Sequence, residues 1–192
     1  MGIRENLDNI QERINKALLK AGRPNDPVTL VAVSKYSTAQ EVLEAAFCGQ
    51  RVFAENRVQQ LLEKWEQLEE YKKQGIEVPE LTWHLIGHLQ TNKVKYIVGK
   101  VALIHSVDSI RLAEEINRVS EKKGVITDIL LEVNVSGEES KSGITPGEMD
   151  EFMTAMASFS AIRLKGLMTM APKGAEEGEL RKIFSCLYEK AA

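Results

Sequence analysis

Two cysteines, Cys48 and Cys186, are too few and too isolated to carry structure. Neither sits in a CxxC pair and each falls inside a helical pattern, so two free, buried thiols in a reducing cytoplasm are expected rather than a disulfide. No run approaches the ~20 apolar residues of a membrane span. The first twenty residues, MGIRENLDNIQERINKALLK, are amphipathic and mixed in charge, with no apolar signal core. A basic excess is missing as well: 25 Lys and Arg against 28 Asp and Glu leave a net charge of −3. Neither a nucleic-acid backbone nor an anionic membrane is expected as a partner. The chain has no Rossmann GxGxxG, no P-loop and no break in composition that would mark a second domain. What is present is a hydrophobic fraction of 43% over 192 residues, enough for one large domain spanning 1–192.

The apolar residues change period along the chain. Ile3, Leu7, Ile10, Ile14, Ala17 and Leu18 recur at helical steps until Gly22 and Pro24 stop them. VTLVAVS then reads as a strand buried on both faces, as in a parallel sheet. Thr38 and Glu41 form a capping box that opens a helix ending at Gly49. The unit repeats: RVFA precedes a helix through Val58, Leu61, Leu62, Trp65 and Leu68, and LTWHLIG precedes a shorter one around Val94 and Ile97. VALIHSV is followed by Leu112, Ala113, Ile116 and Val119, and TDILLEVNV by a helix that Thr145-Pro146-Gly147-Glu148 opens. RLKGLMTM and a helix through Leu180, Ile183, Phe184 and Leu187 complete six βα units. Such alternation predicts parallel strands with two possible closures, an open doubly wound sheet or a (β/α) barrel. A barrel needs eight strands and typically ~250 residues.

In either architecture ligands bind at the C-terminal ends of the strands. Read in order, those positions hold Lys35, then Glu55 and Asn56, His88 and Gln90, Ser106 and Asp108, Asn134, and Thr169. Lys35 is the one cation set directly against its strand. A lysine there snorkels to solvent, pairs with Glu55, or serves as a Schiff-base amine whose charged form is disfavoured by low-dielectric surroundings. The position alone leaves these readings open.

Other motifs carry less. His84 and His88 have the i, i+4 spacing of two metal ligands on a helix, but they straddle a predicted strand with no acid or cysteine beside them. His105, Ser106 and Asp108 leave one strand almost consecutively and cannot align as a triad. Met168, Met170 and Met153 to Met156 read as core filler. The loop SGEESKSGI, with Lys141, reads as solvated.

Five stretches, LVAVSKY, FAENRVQ, WHLIGHLQTNK, IHSVDS with LLEVNVSGEESKSG, and GLMTMAP, occur in an order that resembles the pyridoxal phosphate homeostasis proteins, single-domain relatives of the alanine racemase barrel. The resemblance covers almost the whole chain. It implies an alanine-racemase-like (β/α)8 barrel of the TIM type, here lacking its last two strands. The family's serine-methionine-glycine and arginine-glycine motifs, which close the barrel and hold the cofactor phosphate, have no counterpart. It also implies pyridoxal 5'-phosphate as cofactor, with Lys35 forming the internal aldimine, Asn56 beside the ring, and His84 and Met168 lining the pocket. Ala54 stands where the family has glycine before Glu55, and Tyr36-Ser37-Thr38 departs from its usual continuation.

The expected function is therefore cofactor carriage and homeostasis in the cytoplasm, with cofactor-accepting apoenzymes as partners, rather than turnover. Alanine racemase takes a catalytic tyrosine from a second, β-rich domain, which this chain is expected to lack. The alternatives are an amino-acid racemase or decarboxylase using the same cofactor, a cofactor-free lysine aldolase, and a binding scaffold whose rim is vestigial.

Overall fold

Alternating strand and helix periods are realised as six strands and seven α-helices in a computed structural model that describes residues 2–138 and 142–191. In chain order these are α1 (Ile3–Lys20), β1 (Ala32–Val33), α2 (Ala39–Phe47), β2 (Val52–Glu55), α3 (Val58–Lys73), β3 (Thr82–Leu85), α4 (Val94–Ile97), β4 (Leu103–Val107), α5 (Ile110–Lys123), β5 (Thr127–Glu132), α6 (Met149–Met156), β6 (Ile162–Met168) and α7 (Glu177–Ala191). The strands neighbour one another in chain order from β1 to β6. A doubly wound sheet reverses its order at a switch point. This sheet never does, so its topology is that of a (β/α)8-type barrel wall, six βα units long. Among the described residues no helix is long and apolar enough to cross a membrane.

The chain divides into two compact units, Met1–Glu55 with Gln59–Trp83, and Asn56–Val58 with His84–Ala192. Strand β3 begins in the first and ends in the second. In the first unit, β1 pairs with β2 through Ala32↔Phe53 and Val33↔Ala54, and the Thr82 N–H donates to the Arg51 carbonyl at 2.9 Å. Val42, Leu43 and Ala46 of α2 are buried with Phe53, Leu61, Leu68 and Trp83. The capping box on α2 forms as expected: Thr38 Oγ1 accepts from the Glu41 N–H, and the Glu41 carboxylate accepts from the Thr38 N–H at 2.7 Å. Helix α1 buries no residue fully.

The strand expected over VTLVAVS is shorter and less buried than its sequence suggests. Only Ala32 and Val33 pair, and Val28 and Val33 are 52% and 49% exposed. Ahead of the paired residues, the Leu30 carbonyl accepts from the side-chain amide of Gln50 at 2.8 Å.

In the second unit, β3 to β6 pair in parallel through His84↔Leu103, Ile104↔Ile129 and six β5–β6 pairs beginning at Thr127↔Ile162. Leu85, Ile104, Val107, Ile129 and Leu131 are wholly buried, together with Ala113 and Ile116 of α5. The face that meets α5 is marked by the Thr127 hydroxyl, 2.7 Å from that of Ser120. The ladder slips twice. It passes from Ile104 to Val107 on β4 against Ile129 to Leu131, and from Leu164 to Gly166 on β6 against Ile129 to Leu130. Each slip is a bulge that takes up one extra residue, and the second is eased by Gly166, whose φ is +153°.

Cys48 and Cys186 are free and half-buried rather than buried. The methionines depart further from a core role: Met153 and Met170 are exposed, although Met149 is buried.

Candidate functional site

Lys35 lies in the first unit, immediately after β1. Its neighbour Ser34 is held at every polar atom: its N–H donates to the Ala54 carbonyl at 3.0 Å, its hydroxyl to Glu55 Oε1 at 2.7 Å, and its carbonyl accepts from Lys64 Nζ at 2.6 Å. The same carbonyl accepts from the Ser37 N–H at 2.8 Å, closing a turn whose inner residues are Lys35 and Tyr36. The half-buried Lys35 side chain makes no hydrogen bond or ion pair among the described residues. Its ammonium lies 5.1 Å from the centroid of the Tyr36 ring. The expected alternative in which Lys35 pairs with Glu55 is overturned, because Lys64 forms that ion pair, with Glu55 fully buried. Glu55 Oε2 is buried with no hydrogen-bond partner among the described residues.

Asn56, His84 and Met168 lie in the second unit. Asn56 follows β2, and its Oδ1 is buried without a hydrogen-bond partner. Its backbone lies against Gly87 so closely that a Cβ there would come within 2.0 Å of the Asn56 carbonyl oxygen, which only glycine permits. Ser106 Oγ donates to the Gly87 carbonyl at 2.6 Å.

His84 Nδ1 is 2.9 Å from His105 Nε2, the two rings 5.0 Å apart and tilted at 45°. Burial lowers the pKa of His84. Burial, and then the neighbouring His84, lowers that of His105 to about 4. Both rings are therefore neutral at pH 7, one donating and the other accepting.

Register places Met168 on the same face of the sheet as this pair. Its partner on β5 is Glu132, next to Leu131, whose side faces α5, so Glu132 and Met168 are on the opposite face. His105 is next to Ile104 and His84 pairs with Leu103, which puts both on that same face. Without the β6 bulge Met168 would share the α5-facing side of Ile162 and Leu164.

The remaining rim groups separate. His88 Nδ1 is 3.4 Å from Asp108, Ser106 bonds Gly87 and His105 bonds His84, so the letters of a triad point three ways. Among the described residues no group of three His, Cys, Asp or Glu side chains is arranged to hold a metal ion. Glu132 has its pKa raised, by burial first and then by Asp108. Lys141 lies outside the described residues.

Sequence reading missed the Glu55–Lys64 pair and the His84–His105 pair. The first left a signal, since Lys64 falls between Leu61 and Leu68 at core spacing on α3. The second left none, because which histidines face each other depends on register across two strands.

Within the first unit, Lys35 is an amine free of hydrogen bonds among the described residues, the group an aldehyde requires. Within the second, Asn56 Oδ1 is an orphaned buried acceptor, and a neutral imidazole pair and a thioether share one sheet face, a lining suited to an aromatic ring.

The sequence profile described as the alanine racemase N-terminal domain matches residues 5–189. The pyridoxal phosphate homeostasis protein of Aquifex aeolicus (strain VF5) is 40% identical over 185 residues, 96% of this chain and 78% of that protein. PipY of Synechococcus elongatus PCC7942, solved with pyridoxal phosphate bound, superposes with a TM-score of 0.76 at 32% identity, covering 91% of this chain and 79% of that one. A crystal structure from Bifidobacterium adolescentis gives a TM-score of 0.88 at 35% identity, over 98% of this chain and 77% of that one. With its strands in chain order and its profile matched almost end to end, the chain belongs to the alanine racemase N-terminal domain family and, within it, to the pyridoxal phosphate homeostasis proteins.

Proposed function

We propose that this protein binds pyridoxal 5'-phosphate at Lys35 and serves to carry and buffer the cofactor rather than to turn over a substrate. The observation that carries this reading is the free Lys35 amine, presented by a turn whose first residue is fixed at each polar atom. Support also comes from the name borne by its relatives and from the cofactor bound in PipY. When bound, the cofactor supplies an electrophilic aldehyde on an electron-withdrawing ring. Lys35 provides the amine that the aldehyde captures. Asn56 offers its orphaned carbonyl oxygen to a ring donor, and satisfying that buried acceptor favours binding. His84, kept neutral and held by His105, lines the ring without adding charge, and Met168 packs as a polarizable wall. In this reading the protein works in the cytoplasm, which suits free Cys48 and Cys186, and hands the cofactor to apoenzymes that lack it.

The test is spectroscopic. Adding pyridoxal phosphate should produce a visible band that borohydride bleaches, with the reduced adduct mapping to Lys35, and Lys35→Ala should lose the band while keeping its helical circular dichroism. An adduct on other lysines alone would overturn the assignment. Steady racemisation of alanine or serine that disappears with Lys35→Ala would replace carriage with catalysis.

A further inference from the structure

Two lysines line one concavity in the first unit. It encloses about 310 Å³ beside the α2 N-terminus, and its walls include Lys35, Thr38, Gln60, Glu63, Lys64 and Gln67. An aldehyde entering it meets two primary amines of the same intrinsic chemistry. They differ in what holds them. Lys64 is 8% exposed and donates both to the Ser34 carbonyl and to Glu55, whereas Lys35 has no hydrogen-bond acceptor among the described residues.

We propose that Glu55 assigns these two lysines their roles: it holds Lys64 as a clamp on the turn at Ser34, and so leaves Lys35 as the amine that reacts. The inference rests on the reading that Lys35 captures the cofactor aldehyde. Capture needs a neutral amine. A lysine ammonium first gives one proton to solvent, its nitrogen lone pair then bonds to the aldehyde carbon, and the carbonyl oxygen leaves as water with the two remaining N–H hydrogens, giving a carbon–nitrogen double bond. The Lys64 amine is engaged by a fully buried carboxylate and by the Ser34 carbonyl, so its attack on an aldehyde would break both contacts and leave Glu55 as an unpaired buried anion. The same contact fixes the turn. Glu55 Oε1 accepts from both Ser34 Oγ and Lys64, and Lys64 reaches the Ser34 carbonyl, so one carboxylate sets the backbone from which Lys35 projects. Glu55 and Lys64 are positioning residues in this account.

The experiment treats the full chain with pyridoxal phosphate, reduces with borohydride and maps modified lysines by mass spectrometry, while stopped-flow absorbance follows the visible band. The parent should be modified at Lys35 with Lys64 untouched. In Glu55→Gln, Lys64 loses its counter-charge and should take at least about one adduct for every ten on Lys35, a shift of the order one charged hydrogen bond supplies. Lys64→Arg keeps the charge and the clamp but offers no reactive amine, and should react at Lys35 at the parent rate. Modification confined to Lys35 at the parent rate in folded Glu55→Gln would overturn the assignment. Should Glu55→Gln not fold, Glu55→Gln/Lys64→Met removes both buried charges together. It should fold yet gain its band about five- to tenfold more slowly, as expected for one lost hydrogen bond on the turn, and parent-like kinetics would overturn the proposal. A parent with no adduct at Lys35 would bring down the reading beneath it, whereas a Lys35 adduct in the parent with an indifferent Glu55→Gln would remove only the role of Glu55.

Discussion

β1 and β5 are held by opposite means. β5 presents Ile129 and Leu131, each wholly buried, between two paired strands and beneath α5. β1 has two paired residues, one of them half exposed, and the helix before it buries no side chain fully. What holds the end of β1 is polar: a buried ion pair and the hydrogen bonds that converge on Ser34. Apolar burial stabilises without direction, whereas a hydrogen-bonded charge fixes an orientation at a desolvation cost. A strand that serves as core can rely on the first. A strand end that must aim one side chain has use for the second.

The sharpest way to break this contrast is to remove half of the ion pair. Lys64→Ala leaves Glu55 buried and uncompensated, and should cost about 3–5 kcal/mol, lowering the melting midpoint by roughly 6–20 °C. A loss below about 1 kcal/mol in denaturant titration would mean that packing holds β1 after all. Next comes the apolar side of the comparison. Leu131→Ala opens a cavity in the core and should cost about 2–5 kcal/mol, with no dependence on salt, by the same titration.

A smaller effect is read by pH within the second unit. His105 has its pKa depressed to about 4, below the 6.5 of an unperturbed imidazole, so the unfolded chain takes up this proton first. Its contribution is complete above pH 6.5 and is lost as pH falls toward 4. Glu132 runs the other way: its raised pKa gives a contribution present below the ordinary carboxylate value and lost as pH rises. The melting midpoint should therefore fall more steeply between pH 6.5 and 4 in the parent than in His105→Phe, and parallel curves would contradict the burial of the histidine pair. The smallest expected change is at the rim. Arg163 pairs bidentately with Asp128 but is largely exposed, so Arg163→Ala should cost less than about 1 kcal/mol.

These contrasts also explain what could be read in advance. Elements dominated by apolar period, such as α5 through Leu112, Ala113, Ile116 and Val119, stand where the sequence puts them. The capping box at Thr38 is written locally and forms locally. β1 starts later than VTLVAVS suggests, and the contact ahead of it, from Gln50 to the Leu30 carbonyl, comes from twenty residues away, beyond the reach of a local pattern. Lys35 was legible as a cation against a strand end, but the partner of Glu55 was not, since Lys35 and Lys64 compete for it and only packing decides. The contact between Gly87 and Asn56 belongs to the same class, a backbone approach with no periodic signature.

The slip in β6 gives that strand one residue of slack. Between Leu164 and Gly166 the chain spends two steps where β5 spends one, so Lys165 is a residue the ladder does not count. A chain shortened by one there would straighten into a regular strand and still deliver Met168 opposite Glu132. A chain lengthened by one would have to loop out a second residue or turn Met168 toward α5. Changes of length in this stretch are therefore not equivalent in the two directions: a loss can be absorbed, whereas a gain must be accommodated elsewhere. β6 is thus buffered against deletion just before Met168, on the sheet face that His84 and His105 share.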